Sequence, residues 1–110
     1  MVVGVCRVTI MVPESHSLKE KRMVLRRIKD RVANKFNCAI AEVGDQDAWQ
    51  SAELGFAVVS NEYGFTQSMV QKILDFIEHL AIAKVMDDEQ DYVTYGDEVG
   101  GEPSHWEPEK

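Results

Sequence analysis

The stretch Val2 to Val12 constrains the fold more than any other part of the chain. It is dense in β-branched side chains, which favour a pleated strand over a helix. Successive side chains of a strand point to opposite faces. The even positions, Val2, Gly4, Cys6, Val8, Ile10 and Val12, are almost all apolar, whereas the odd ones, which include Arg7, Thr9 and Met11, are mixed. One face of this strand must therefore be covered by another layer, and the other is left for solvent or a partner. Pro13 ends it, because proline has no N–H to give to a ladder.

The next segment changes period. Ser17-Leu18-Lys19-Glu20 has the form of a capping box, with Ser17 accepting from the N–H of Glu20 and the Glu20 carboxylate reaching back to the N–H of Ser17. A helix is predicted from there to about Lys35, with Leu18, Leu25, Ile28, Val32 and Phe36 as its apolar stripe. Asn37 stops it. Cys38 to Val43 reads as a second strand and Leu54 to Val59 as a third, and the short link Gly44–Gln50 between them implies a hairpin. Ser60 or Asn61 offers a cap for a second helix, whose stripe is Phe65/Thr66, Met69, Ile73, Ile77 and Leu80. Gly64 weakens its first turn. A last strand from about Lys84 to Tyr95 carries Asp87-Asp88-Glu89, which suits an edge, where charge discourages unwanted pairing.

The order is β-α-β-β-α-β. Two β-α-β units with right-handed crossovers in one sheet give an α+β, ferredoxin-like sandwich: a four-stranded antiparallel sheet with two helices on one face. A chain of 110 residues suits one domain, expected over 1–95. From 96 to 110, Gly, Pro and acidic residues without periodicity read as a disordered tail. No apolar run approaches the roughly 20 residues of a membrane helix. Met1 leads directly into β-branched residues with no basic lead, so neither a signal peptide nor a membrane partner is expected. Cys6 and Cys38 lie in apolar runs without a C-x-x-C or a Cys/His cluster, which fits reduced thiols in a cytoplasmic protein.

The net charge of −7 is distributed unevenly. Eight of the twelve basic residues fall between Lys19 and Lys35, and nine of the nineteen acidic ones between Asp87 and Glu109. At about 100° per residue, Lys19, Arg22, Arg26 and Lys29 cluster on one flank of the first helix and Arg27, Arg31 and Lys35 on the other.

Three segments together, Ser15-His16-Ser17-Leu18-Lys19-Glu20-Lys21-Arg22, Ala41-Glu42-Val43-Gly44-Asp45-Gln46-Asp47-Ala48-Trp49-Gln50 and Ala52-Glu53-Leu54-Gly55-Phe56-Ala57-Val58-Val59-Ser60-Asn61, resemble the YlxP-like family of small bacterial proteins of unknown function. The resemblance covers roughly residues 1 to 93. It implies a ferredoxin-like fold. Genes of that family often sit among those for translation and ribosome-maturation factors, so it also implies a link to the ribosome or RNA. It implies no chemistry and no role for the tail.

The residues themselves offer two candidate sites. Lys19, Lys21, Arg22, Arg26 and Lys29 are candidate contacts to the phosphates of structured RNA, in competition with an ordinary solvated helix face. Asp45, Asp47 and Trp49 are candidate partner contacts; the simpler reading is turn chemistry for the two carboxylates and packing over the hairpin for Trp49. Glu42, Asp45 and Asp47 lack the further acids and the glycine of a calcium loop, so no metal is expected. A base-stacking sheet needs aromatic residues on both middle strands, and only Phe56 is offered. The histidines His16, His79 and His105 form no set, and there is no phosphate-cradling or dinucleotide motif. A non-catalytic protein without a cofactor follows, either RNA- or ribosome-associated through the first helix, or a homodimeric module using the open sheet face and Trp49. The opposite charge of the two ends further suggests that 97–109 folds back on the basic helix.

Overall fold

The structure is a computed structural model describing residues 1–13, 16–45 and 48–96. Its elements follow the expected order: β1 (Val2–Met11), α1 (Leu18–Lys35), β2 (Ala39–Gly44), β3 (Ser51–Ser60), α2 (Tyr63–Leu80) and β4 (Lys84–Thr94). The four strands form one antiparallel sheet in the order β2-β3-β1-β4. Both helices cover the same face. The expected fold class is therefore the observed one.

The alternation in β1 decides which face is covered. Its even side chains are buried, together with Ala52, Leu54, Phe56 and Val58 of β3. Leu25, Ile28 and Val32 of α1 and Val70, Ile73, Leu74 and Ile77 of α2 close the core from above. Full burial of an aliphatic side chain of this size contributes about 1.5–3 kcal/mol, so this layer supplies most of the cohesion. Cys6 and Cys38 are free thiols. Burial, aided by the nearby Asp88 charge, pushes the Cys6 thiol up to about 11, and burial also raises that of Cys38.

Several boundaries differ from the sequence-based expectation. β3 begins at Ser51, three residues early, because the ladder to β1 continues to the Met11–Ser51 pair. β4 runs for eleven residues despite its carboxylates, since backbone pairing with β1 needs nothing from side chains that stay in solvent. It does lie at the edge. The cap of α2 is Glu62, whose side chain makes no capping bond. Ser60 Oγ instead accepts from the Glu62 N–H (3.1 Å) and lies 2.6 Å from Thr66 Oγ1, tying the end of β3 to the buried Thr66 of the helix. The expected tail lies outside the described residues beyond Gly96, and so does the contact expected of it with the basic helix.

Gly4 marks a close approach of α2 to the sheet. A Cβ there would sit 2.7 Å from Thr66 Cγ2 and 2.9 Å from Tyr92 Cε1. Thr66 is a short, buried side chain, and Tyr92 is held against Tyr63 with ring centroids 5.4 Å apart. Neither can swing aside cheaply. Gly4→Ala is therefore expected to lower stability by about 1–3 kcal/mol through overpacking. Urea denaturation checks this; an unchanged midpoint would show that the helix shifts freely on the sheet.

Candidate nucleic-acid interface

The basic helix begins as its sequence suggests. Ser17 Oγ accepts from the Glu20 N–H at 3.2 Å. The Glu20 carboxylate reaches back towards the start of the helix and accepts from the N–H of His16, at 2.6 Å. The buried stripe of α1 is Lys21, Leu25, Ile28 and Val32. With Lys21 as its first member, it runs at i, i+4, i+7 and i+11, the spacing of a core-facing seam.

Lys21 thus cannot contact phosphate, which corrects its assignment to the RNA-binding set. Its side chain is 1% exposed. Its ammonium donates to the carbonyls of Asp45 (2.7 Å) and Ser51 (3.1 Å) and lies 3.6 Å from Glu42 Oε2. The last contact is an ion pair beyond hydrogen-bond range, and that oxygen is buried with no hydrogen bond of its own. A buried ammonium needs acceptors for its donors, and the two ends of the β2–β3 loop supply them. The loop is closed further by Ala48 N–H to Asp45 O (3.2 Å) and by Val12 N–H to Gln50 O (2.7 Å). Asp45 takes up a left-handed backbone conformation (φ 57°), and its carboxylate accepts from Ser51 Oγ (3.2 Å). Asp45 is accordingly a turn-forming residue. Trp49 is 57% exposed on this loop, and Asp47 lies outside the described residues.

The remaining cations stay outside. Lys19, Arg22, Arg26, Arg27, Arg31 and Lys35 are exposed, and Lys29 is half-buried. Lys35 is engaged by the Phe36 and Phe76 rings, with Nζ 5.8 and 5.5 Å from their centroids. Among the described residues no carboxylate lies within ion-pair distance of Lys19, Arg22, Arg26, Arg27, Lys29 or Arg31. A shallow hollow of 440 Å³ on the outer side of α1 is lined by Met23, Arg26, Arg27, Asp30, Arg31 and Asn34. It joins arginines that a two-flank reading of the helix keeps apart. Asp30 shares the hollow and reduces its positive potential without pairing. Phe56, the one candidate for base stacking, is buried on the helix side of the sheet.

The distribution of charge is also spatial. α1 packs over β2 and beside α2, whereas α2 lies over β1, β3 and β4. The cationic helix and the acidic β4 therefore occupy opposite edges of the sheet. Seven of the nineteen acidic residues and one of the twelve basic ones are outside the described residues. The described residues together are consequently close to neutral, and their field depends on placement more than on sum.

Residues 3–90 match the model of a family described as protein of unknown function, DUF503. The chain belongs to the DUF503 family. It is 43% identical over 76 residues to uncharacterized protein YlxP of Bacillus subtilis (strain 168), which covers 69% of this chain and 83% of the relative. Among solved structures it is similar to the de novo designed protein LFR1, which has a ferredoxin fold. There the TM-score is 0.51 and the identity 17%, covering 100% of this chain and 98% of the other. That likeness concerns fold alone. No helix of the described residues is long and apolar enough to cross a membrane.

The anchoring role of Lys21 has a measurable consequence. Lys21→Met leaves the buried Glu42 oxygen without its counter-ion and is expected to cost about 3 kcal/mol. Lys21→Met/Glu42→Leu, which removes both charges, should recover most of that stability. Chemical denaturation of the two variants checks this; equal destabilisation would mean that the two carbonyl bonds, not the ion pair, carry the energy.

Proposed function

We propose that this DUF503 protein is a non-catalytic, cytoplasmic accessory factor that binds the phosphate backbone of structured RNA, as on a ribosomal subunit, through the outer side of α1. The observation that carries this reading is a set of exposed cations, Lys19, Arg22, Arg26, Arg27 and Arg31, held on one helix with no carboxylate within ion-pair distance among the described residues. Guanidinium groups suit phosphate because their fork presents paired donors. Phosphate contacts fix position without reading sequence, and A-form RNA is recognised largely by shape. The separation of α1 from the acidic strand supports the same reading. It gives the molecule a positive end that can lead an encounter although the sum of charges is negative. The non-catalytic part of the proposal is favoured by the thiols, since raised pKa values keep both cysteines in the poorly nucleophilic form. The two described histidines, at the edges of helices, face no shared centre.

The test is co-sedimentation with separated ribosomal subunits across a salt series. Binding should weaken steeply with salt. Replacing Arg22, Arg26 and Arg31 together by Ala should lower affinity at least tenfold at low salt. It should also reduce the logarithmic salt slope by about two to three, near one for each phosphate that is no longer neutralised. Circular dichroism of the variant guards against loss of fold. Absence of binding at low salt, or an unchanged slope in the folded variant, would overturn the proposal.

A further inference from the structure

On the face of the sheet away from the helices, three central cross-strand rows change chemistry from one edge to the other, between an apolar row of Val59, Val3 and Val93 and an outer row of Ser51, Met11 and Lys84. Ala39, Ala57, Val5 and Asp91 form one row, and Ala41, Gly55, Arg7 and Glu89 the next. Glu53, Thr9 and Asp87 follow. On the β2, β3 and β1 side the side chains are small, and they leave a depression of 680 Å³. A bulge between Glu42 and Gly44 turns Val43 over Gly55, where a Cβ would meet Val43 Cγ1 at 3.0 Å. Val43 is 54% exposed and forms one wall of the depression. On the β4 side stand Asp87, Glu89 and Asp91, with Glu53 facing them from β3. Arg7 is the one cation in these three rows. It lies 2.6 Å from Glu89 and 3.5 Å from Glu53, which leaves Asp87 and Asp91 with no cation in reach among the described residues.

A face of this kind selects its occupant by charge. Nucleic acid is repelled by the acidic row. A second copy fits poorly as well. A two-fold axis across the strands stacks one acidic β4 on the other, and an axis along them lays β4 on the uncharged outer face of β2. What complements the face is an apolar strip with cations along one side.

We propose that the open sheet face docks an amphipathic helix of a partner protein, its small apolar strip in the depression between β2 and β1 and a row of Lys or Arg directed over β4. The dimensions agree. Carboxylates two residues apart on a strand are separated by about 6.6–6.8 Å, and helix positions i and i+4 by about 6 Å. Basic residues at every fourth position of the ligand therefore keep step with Asp87, Glu89 and Asp91. The distance from Gly55 to β4 is two strand spacings, about 10 Å, which a lysine or arginine on a helix of about 10–12 Å diameter spans. This docking surface is independent of the proposed RNA contact, because it lies on the opposite side of the molecule from α1.

The test uses the full chain and two synthetic helical peptides sharing an Ala/Leu strip. One carries Lys at i, i+4 and i+8 on the flank and the other Glu at the same positions. Fluorescence anisotropy is expected to show binding of the Lys peptide, at least tenfold preferred over the Glu peptide. Asp87→Lys/Asp91→Lys should reverse that preference, and Ala41→Glu, placed in the depression, should weaken the Lys peptide at least fivefold while Arg22→Ala/Arg26→Ala leaves it unchanged. A scrambled Lys peptide of the same composition but no strip should bind at least tenfold more weakly. Equal binding of the scrambled peptide, or a preference that survives Asp87→Lys/Asp91→Lys, would overturn the proposal. So would concentration-dependent dimerisation abolished by Ala41→Glu, which would assign the face to a second copy.

Discussion

The placement of both helices on one side of the sheet governs this molecule. Two β-α-β units of the same preferred hand lay their helices on the same side of a sheet, and here both close over one face of the antiparallel sheet. A single constraint thereby produces one buried face and one bare one. The even residues of β1 meet α1 and α2 and are withdrawn from water. The odd residues keep whatever chemistry the sequence gives them. Gly4 belongs to the same consequence: where α2 comes down on β1, the space ends at the backbone, and a methyl group has nowhere to go.

The topology also sorts the charges. α1 follows β1 but returns over β2, at one edge of the sheet, while β4 is added at the other edge. A basic helix and an acidic strand, separated by some fifty residues of chain, are thus held apart by about the width of the sheet. Had the acidic segment been placed beside α1, the two would neutralise each other as an ordinary surface network. Their separation leaves the arginines of α1 without carboxylate partners among the described residues and leaves Asp87 and Asp91 similarly free, with Arg7 occupied between Glu53 and Glu89. Two surfaces of opposite sign on one small domain suit a protein that touches an anionic polymer on one side and a cationic segment on the other.

Much of this was legible in the residues. The alternation of β1, the Ser17 cap, most of the two apolar stripes and the charged edge strand each follow from local chemistry, and together they leave little choice of topology; in α2 the buried stripe takes in Val70 and Leu74 and leaves Phe65 exposed. What could not be read was the register. The start of β3 at Ser51 depends on where the ladder to β1 ends, not on the propensity of Ser51 itself. The open face was visible as mixed, but its division into a depression and an acidic row emerges only once Gly55 is set opposite Arg7 and Arg7 opposite Glu89. Lys21 is the instructive case. Its spacing to Leu25, Ile28 and Val32 fits the buried stripe, which a reading by residue type starts at Leu18 instead. Its identity placed it with the surface cations. Spacing prevailed, because the β2–β3 loop brings the carbonyls of Asp45 and Ser51 to its ammonium.

A leucine at that position would fill a similar volume without the desolvation of an ammonium, so packing alone does not explain the lysine. An apolar side chain, however, would leave two loop carbonyls without their donor and the Glu42 carboxylate without its counter-ion. The lysine is directional where a leucine is not. Its two hydrogen bonds span the ends of the link between β2 and β3, so the first turns of α1 are tied to both strands of the hairpin. The same hairpin carries the bulge that sets Val43 over Gly55 and shapes the depression on the far side of the sheet. One buried cation therefore ties the position of the basic helix to the geometry of the opposite face, although the two surfaces share no residue.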